Sequence, residues 1–276
     1  MSATLAPSTS VARPPSRTLL AVLRRGLLDH RRALLSWGGP LAFMSALMAA
    51  MWPSIEGSMD QLMESYPAQL KEAFNIRELT SVEAYIDAEM LSLLIPLAVA
   101  FLAVRVIVRA LAGAEERGYL DIVLTTPISR RTLVAGACGV AAAVVAAVLA
   151  IVTALTWLAG LVAGADPSLV VLARGMANVW PLALFFAGVA VLATGWLHSG
   201  GPVTAIAAAT LLGMYVLDLL GKLADPIEPL RALSVFKYYG SAIQDGIDPL
   251  AFAGITFAAV ALAVAGALLF ERRDVL

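Results

Sequence analysis

Charge is scarce in this chain. Of its 276 residues only 14% are Asp, Glu, Lys or Arg, while 60% are hydrophobic, and the formal net charge is -1. With a mean hydropathy of +0.85, a soluble globular domain is excluded and the class is a polytopic membrane protein. Cys138 is the single cysteine, so no disulfide forms within the chain, and its Ala/Gly/Val-rich surroundings point to packing. The two histidines, His30 and His198, are not spaced as a metal site, and no His-Glu-x-x-His occurs, so no metal is expected. No Gly-x-x-x-x-Gly-Lys-Ser/Thr is present, which excludes ATP binding by a phosphate loop. Nor does any arrangement of Ser and His suggest nucleophilic catalysis, so no catalytic residue is assigned. The N-terminus lacks a short apolar run followed by small residues, and it does not read as a cleavable signal.

What remains is long apolar segments. A spanning helix needs about 20 apolar residues, and six segments qualify: Leu34–Trp52, Met90–Val108, Leu133–Leu158, Val179–Leu197, Val203–Leu220 and Leu250–Phe270. Six crossings place both termini on one side. Arg13, Arg17, Arg24, Arg25, Arg31 and Arg32 precede the first span. Arg105, Arg109, Arg117, Arg130 and Arg131 flank the loop after the second, and Arg272 and Arg273 follow the last. The opposite side carries Lys71, Arg77, Arg174, Lys222, Arg231 and Lys237 among many acids. The positive-inside rule makes both termini cytoplasmic. Tryptophan concentrates at interfaces: Trp52, Trp157 and Trp180 fall at expected outer ends, Trp37 and Trp196 at or near inner ends, and none in mid-span.

Residues 1–16, rich in Ser and Pro, read as a disordered cytoplasmic tail. Before the first span (residues 17–33), Leu20, Leu23 and Leu27, with Leu34, share a stripe beside Arg24, Arg25, Arg31 and Arg32, while Leu28 and Leu35 fall among the arginines; the segment reads as a helix lying in the cytoplasmic interface or as an ordinary basic anchor without a distinct helix. Residues 53–89 form an acidic outer loop. In it, Met59, Leu62, Met63 and Tyr66, then Leu70 and Phe74 after Pro67, predict two short amphipathic helices. Thr80-Ser81-x-Glu83 supplies a cap for the helix that follows. Gly160-x-x-x-Gly164 permits close helix contact near the outer end of the third span. His198-Ser199-Gly200-Gly201-Pro202 makes a tight turn between the fourth and fifth spans. A second outer loop, 221–249, holds several prolines and the aromatics Phe236, Tyr238 and Tyr239.

The spans hold almost no charge at mid-depth. Ion-coupled carriers commonly place their coupling groups there, so energy is expected to enter from elsewhere. Arg105 and Arg109 lie near an inner end and can snorkel. Asp218, near an outer end, is the exception, and it reads as an interfacial acid facing water or as a functional group.

The most distinctive stretch is Gly113 to Arg131, GAEERGYLDIVLTTPISRR, within the loop 109–131. Its first half is an amphipathic helix that presents Glu115, Glu116, Arg117 and Asp121 to solvent or to a partner. Pro127 stops that helix, and Ser129 can cap the next one, beside Arg130 and Arg131. From charge alone the acids read equally as a solvated face. The pattern of an acidic pair, Arg-Gly, an apolar segment, Pro and Ser-Arg nevertheless resembles the first cytoplasmic loop of ABC-2-type transporter permeases. The cluster Ser234-x-Phe236-x-Tyr238-Tyr239, the terminal Phe270-x-Arg272-Arg273-Asp274, the interfacial helix and the outer loop are similar to that family as well.

The resemblance implies an all-α membrane protein of six transmembrane helices, with an N-terminal interfacial helix, a coupling helix and short outer-surface helices. Residues 17–276 would be the ABC-2-type transmembrane domain, in a bacterial or archaeal cytoplasmic membrane. It implies an exporter subunit that pairs with a second permease chain, alike or similar, and with two separate ABC ATPase subunits. Glu115, Glu116, Arg117, Gly118, Asp121, Pro127 and Arg130 would dock the ATPase. ATP and Mg would be bound by that partner, with no cofactor in this chain and no nucleic-acid partner. Two other readings make different predictions: a small ion-coupled carrier that needs Asp218 or Arg105, and a membrane scaffold or sensor that stimulates no ATPase. No substrate-contacting residue is legible.

Overall fold

The computed structural model describes residues 32, 34–65, 81–116 and 129–272. Within them lie six helices long and apolar enough to cross a membrane: Leu34–Ser58, Val82–Ala114, Arg130–Ala163, Leu169–Thr194, Gly200–Leu223 and Pro249–Arg272. No strand occurs among the described residues. The protein is therefore all-α, with the six spans that the hydropathy predicts. The tail, the interfacial helix up to Arg31 and most of the coupling segment lie outside the described residues.

The fourth span is central. It packs on the second, third, fifth and sixth, while the first lies against the third. Its inward side includes Leu172, Met176, Leu182 and Phe186, all essentially inaccessible. The second span is nearly as buried, through Ile95, Val99, Leu102 and Ile107. The first, fifth and sixth spans leave large apolar side chains outward, such as Phe43, Leu212 and Phe257, as a lipid-facing surface requires.

Close approach comes from glycines that follow no motif. A Cβ on Gly188 would lie 2.7 Å from the Ala259 carbonyl oxygen of the sixth span, and one on Gly266 would lie 2.6 Å from the Val191 carbonyl carbon of the fourth. Backbone therefore meets backbone where the fourth and sixth spans cross. Gly160-x-x-x-Gly164 does something else. Gly164 ends the third span in the left-handed region at φ 81°, and a Cβ on Gly160 would strike Pro167 at 2.6 Å. This glycine pair shapes a turn and, among the described residues, makes no helix–helix seam.

Proline spacing explains the helix irregularities. The second span is π-helical over Asp87–Leu94, directly before Pro96. Pro96 has no N–H to return to Ser92, and its ring crowds that carbonyl, so a widened turn absorbs the misfit. The first span begins with a π turn, Leu34–Gly38, before Pro40, and its helix then continues through Pro53 to Ser65. The first of the two expected outer helices is thus a continuation of the span, because the helix does not end at Pro53. Residues 66–80, where the second was expected, lie outside the described residues.

The fourth span starts ten residues earlier than its hydropathy suggests, at Leu169, capped by Ser168. Trp180 consequently sits eleven residues inside, about 16 Å along the axis, and its indole donates to the Ala142 carbonyl at 3.1 Å. That overturns its expected place at the outer interface: a mid-helix tryptophan is tolerated because its N–H is satisfied. The caps hold as expected. Ser81 accepts from the Ala84 amide at 3.2 Å and Ser129 from the Thr132 amide at 3.2 Å. Glu83 reaches the Ser168 amide at 2.7 Å, linking the outer ends of the second and fourth spans.

Candidate functional site

Two polar assemblies stand at opposite ends of the bundle. The first surrounds the roots of the coupling segment. The second span ends at Ala110, and the chain turns at Leu111 and continues as a short helix, Ala112–Glu116. Leu111 and Ala112 are fully buried in that turn, which fixes where Glu116 emerges. Glu116 Oε2 accepts from the Gly200 amide at 3.2 Å. Gly200 opens the fifth span, and its N-cap residue Ser199 makes no side-chain capping bond. The carboxylate thus supplies a cap from another helix, and its charge favours the positive end of the fifth span.

The downstream root does the converse. Arg130 Nη1 donates to the Phe270 carbonyl at 3.2 Å and lies 3.5 Å from the Glu271 carbonyl, at the C-terminal end of the sixth span. A guanidinium there meets unsatisfied carbonyls and the negative end of the helix. Arg131 adds an exposed ion pair with the Glu271 carboxylate, of small energetic worth. An acid therefore holds the start of one span, and a base holds the end of another, on either side of the same loop.

The second assembly ties the segment after the fifth span to the bundle. A 3-10 helix, Asp225–Leu233, packs on the fifth span, and a short α-helix, Val235–Tyr239, packs on the fourth, fifth and sixth. Asp218 holds them to the fifth span, pairing with Lys222 at 3.1 Å and Arg231 at 3.0 Å. Its side chain is 6% exposed, so this acid does not face water but neutralises two cations inside the protein. Gly221 makes that possible: a Cβ there would lie 2.2 Å from Arg231 Cγ. Ser234 donates to the Met214 carbonyl at 2.6 Å.

Asp87, also buried, accepts from Ser241 and, at 3.0 Å, from Gln244. Asn178 donates to the Tyr239 carbonyl at 2.7 Å, and Arg174 to the Ile243 carbonyl at 2.8 Å. Tyr239 donates to the Leu91 carbonyl at 3.3 Å, and burial together with the nearby Asp87 charge raises its phenol well above the ordinary range. Asp87, Tyr239 and Ser241, with Asp218, Lys222 and Arg231, border a polar cavity of about 230 Å³.

Residues 26–271 match the family model of the multidrug efflux system permease Rv1217c, C-terminal domain. The chain belongs to this family of ABC-2-type efflux permeases. No curated protein matches it. The permease is a multi-pass membrane subunit of a transporter.

Among the residues that the sequence singled out in this permease, Glu116 and Arg130 are placed at the two roots of the loop. Glu115 is placed in the short helix, while Arg117, Gly118, Asp121 and Pro127 lie outside the described residues. Gly200, Phe270 and Glu271 were not legible as their partners. The contacts span 84 and 140 or more positions, and a backbone amide or carbonyl leaves no mark in a sequence. Among the described residues no cluster of His, Cys, Asp or Glu could hold a metal ion.

Proposed function

We propose that this permease is the membrane-spanning half of an ATP-driven exporter, with both termini in the cytoplasm of a bacterial or archaeal cell. Two permease chains and two ATPase subunits make the working unit, and the segment 109–131 is the coupling element. The observation that carries this reading is the pair of roots. Because Glu116 grips the start of the fifth span and Arg130 the end of the sixth, a push on the loop reaches four helices rather than two. A loop that only joined the second and third spans would need neither contact.

Substrate passes between the two permeases. The interior of one chain is filled by the fourth span, whose inward residues are essentially inaccessible. The family's description favours chemically varied drug-like substrates, which suits apolar walls. Asp218 does not support a proton-driven carrier, since its two oxygens are each committed to a cation.

The test is co-purification from native membranes in mild detergent, followed by ATPase and transport assays. The wild-type chain is expected to bring down a phosphate-loop ATPase. Reversing Glu115 and Glu116 to Lys should release it and abolish transport. Glu116→Gln, which keeps an acceptor for the Gly200 amide, should retain it. A double reversal that still held its ATPase and transported normally would refute docking at this segment.

A further inference from the structure

The second and fifth spans meet near Val108 and Gly200 and leave a gap beside that contact. Between them runs a groove of about 770 Å³, bordered by Phe101, Arg105 and Arg109 on one wall and Gly201, Ala205 and Ala208 on the other. The small residues of the fifth span create the room: a Cβ on Gly201 would meet nothing within 4 Å. Arg105 and Arg109 stand one helical turn apart and so share a face. Both are exposed, and among the described residues Arg105 forms no ion pair. Among the described residues the one acid bordering the groove is Glu116, at its mouth, which is engaged by the Gly200 amide.

Depth identifies the occupant. The second span ends at Ala110, where the chain turns at Leu111, so the Arg105 and Arg109 backbones lie about 9 Å and about 3 Å before that turn at 1.5 Å per residue. A turn out of the helix belongs at the edge of the hydrocarbon core. Arginine side chains reach outward from such positions, so both guanidiniums arrive at the level of lipid phosphates. Away from that level, Phe101 and the outward Leu212 and Val216 of the fifth span offer an apolar track. A charged head at one depth and a chain path toward the membrane centre describe a phospholipid.

We infer that this groove is a binding site for an anionic phospholipid of the arginine-side leaflet, its phosphate held by Arg105 and Arg109. Guanidinium recognises phosphate with paired donors. The site rests on the six-span membrane reading but not on the ATPase partner.

The full chain, purified and placed in phosphatidylcholine nanodiscs, would be titrated with spin-labelled phosphatidylglycerol or spin-labelled phosphatidylcholine, and the motionally restricted fraction measured. Both leaflets are accessible in a nanodisc, so the result does not depend on orientation or on the ATPase. The expected preference for phosphatidylglycerol is about thirtyfold, roughly fivefold for each arginine. R105Q with R109Q should abolish it, and R105K with R109K should keep most of it. A205F with A208F, which fills the groove without touching charge, should also abolish it and provides a second route if the arginine variants do not fold. Equal binding of the two lipids by the wild type would overturn the site. Preferential binding of dodecyl phosphate without preference for phosphatidylglycerol would assign it to an anionic cargo and overturn the lipid reading. A disulfide between two copies carrying Ala205→Cys, with no lipid preference, would give the groove to the second permease and overturn it too.

Discussion

Removing the Asp218 carboxylate should destabilise the permease far more than a surface charge would. Its side chain is 6% exposed, and its partners Lys222 and Arg231 are 22% and 19% exposed. Breaking a buried ion pair by deleting one partner costs about 3–5 kcal/mol, because the remaining charge is left desolvated and unpaired. Lys222 and Arg231 retain some access to water, so the lower end applies and Asp218→Ala should cost about 3 kcal/mol. At roughly 2–4 °C per kcal/mol for a chain of this size, the melting midpoint should fall by about 6–12 °C. Asp218→Asn keeps the volume and loses the charge, so it should lose most of the same stability. The assay is a thermal melt of the purified chain in detergent, with far-UV circular dichroism to confirm retained helix. The decisive comparison is the double variant Asp218→Ala with Arg231→Ala. If the pair is coupled, the double variant loses less than the sum of the singles, by about 1–3 kcal/mol. Strict additivity, or an Asp218→Asn midpoint within about 1 °C of wild type, would show that the outer segment is held by its apolar contacts and hydrogen bonds and that the charges are incidental.

Three further substitutions test the packing. Gly221→Val places a side chain where Arg231 Cγ now lies, 2.2 Å from the ideal Cβ; it should displace the guanidinium, reproduce most of the Asp218→Ala loss, and add little to it in combination. Gly266→Leu drives a side chain into the Val191 backbone of the fourth span, and since backbone cannot step aside, a loss of about 1–3 kcal/mol or failure to insert is expected, read by melting and membrane yield. Gly164→Ala forces a Cβ into the left-handed region at φ 81°, which should cost about 1–2 kcal/mol while leaving the cross-linked oligomer pattern unchanged; a changed oligomer would restore Gly160-x-x-x-Gly164 as an association motif.

Where the sequence was legible and where it was not follows from the range over which each force acts. Six spans are visible because exclusion of charge from hydrocarbon is a property of every residue in a segment. The caps at Ser81 and Ser129 are visible because donor and acceptor lie three positions apart. The fourth span was misread at its start because Arg174 and Asn178 look like loop residues. They are polar inside a helix because each must hold a carbonyl of the segment that follows the fifth span, more than 60 positions away. Asp87 and Asp218 invite the same error: each reads as an acid near water, and each is buried against partners brought by the fold. The glycine motif fails for the complementary reason. Spacing of four is readable in Gly160 and Gly164, yet the glycines that set the closest helix crossing, Gly188 and Gly266, lie on different helices and have no common register in the sequence. A polar residue inside an otherwise apolar run of this permease is therefore better read as a request for a distant partner than as a helix boundary.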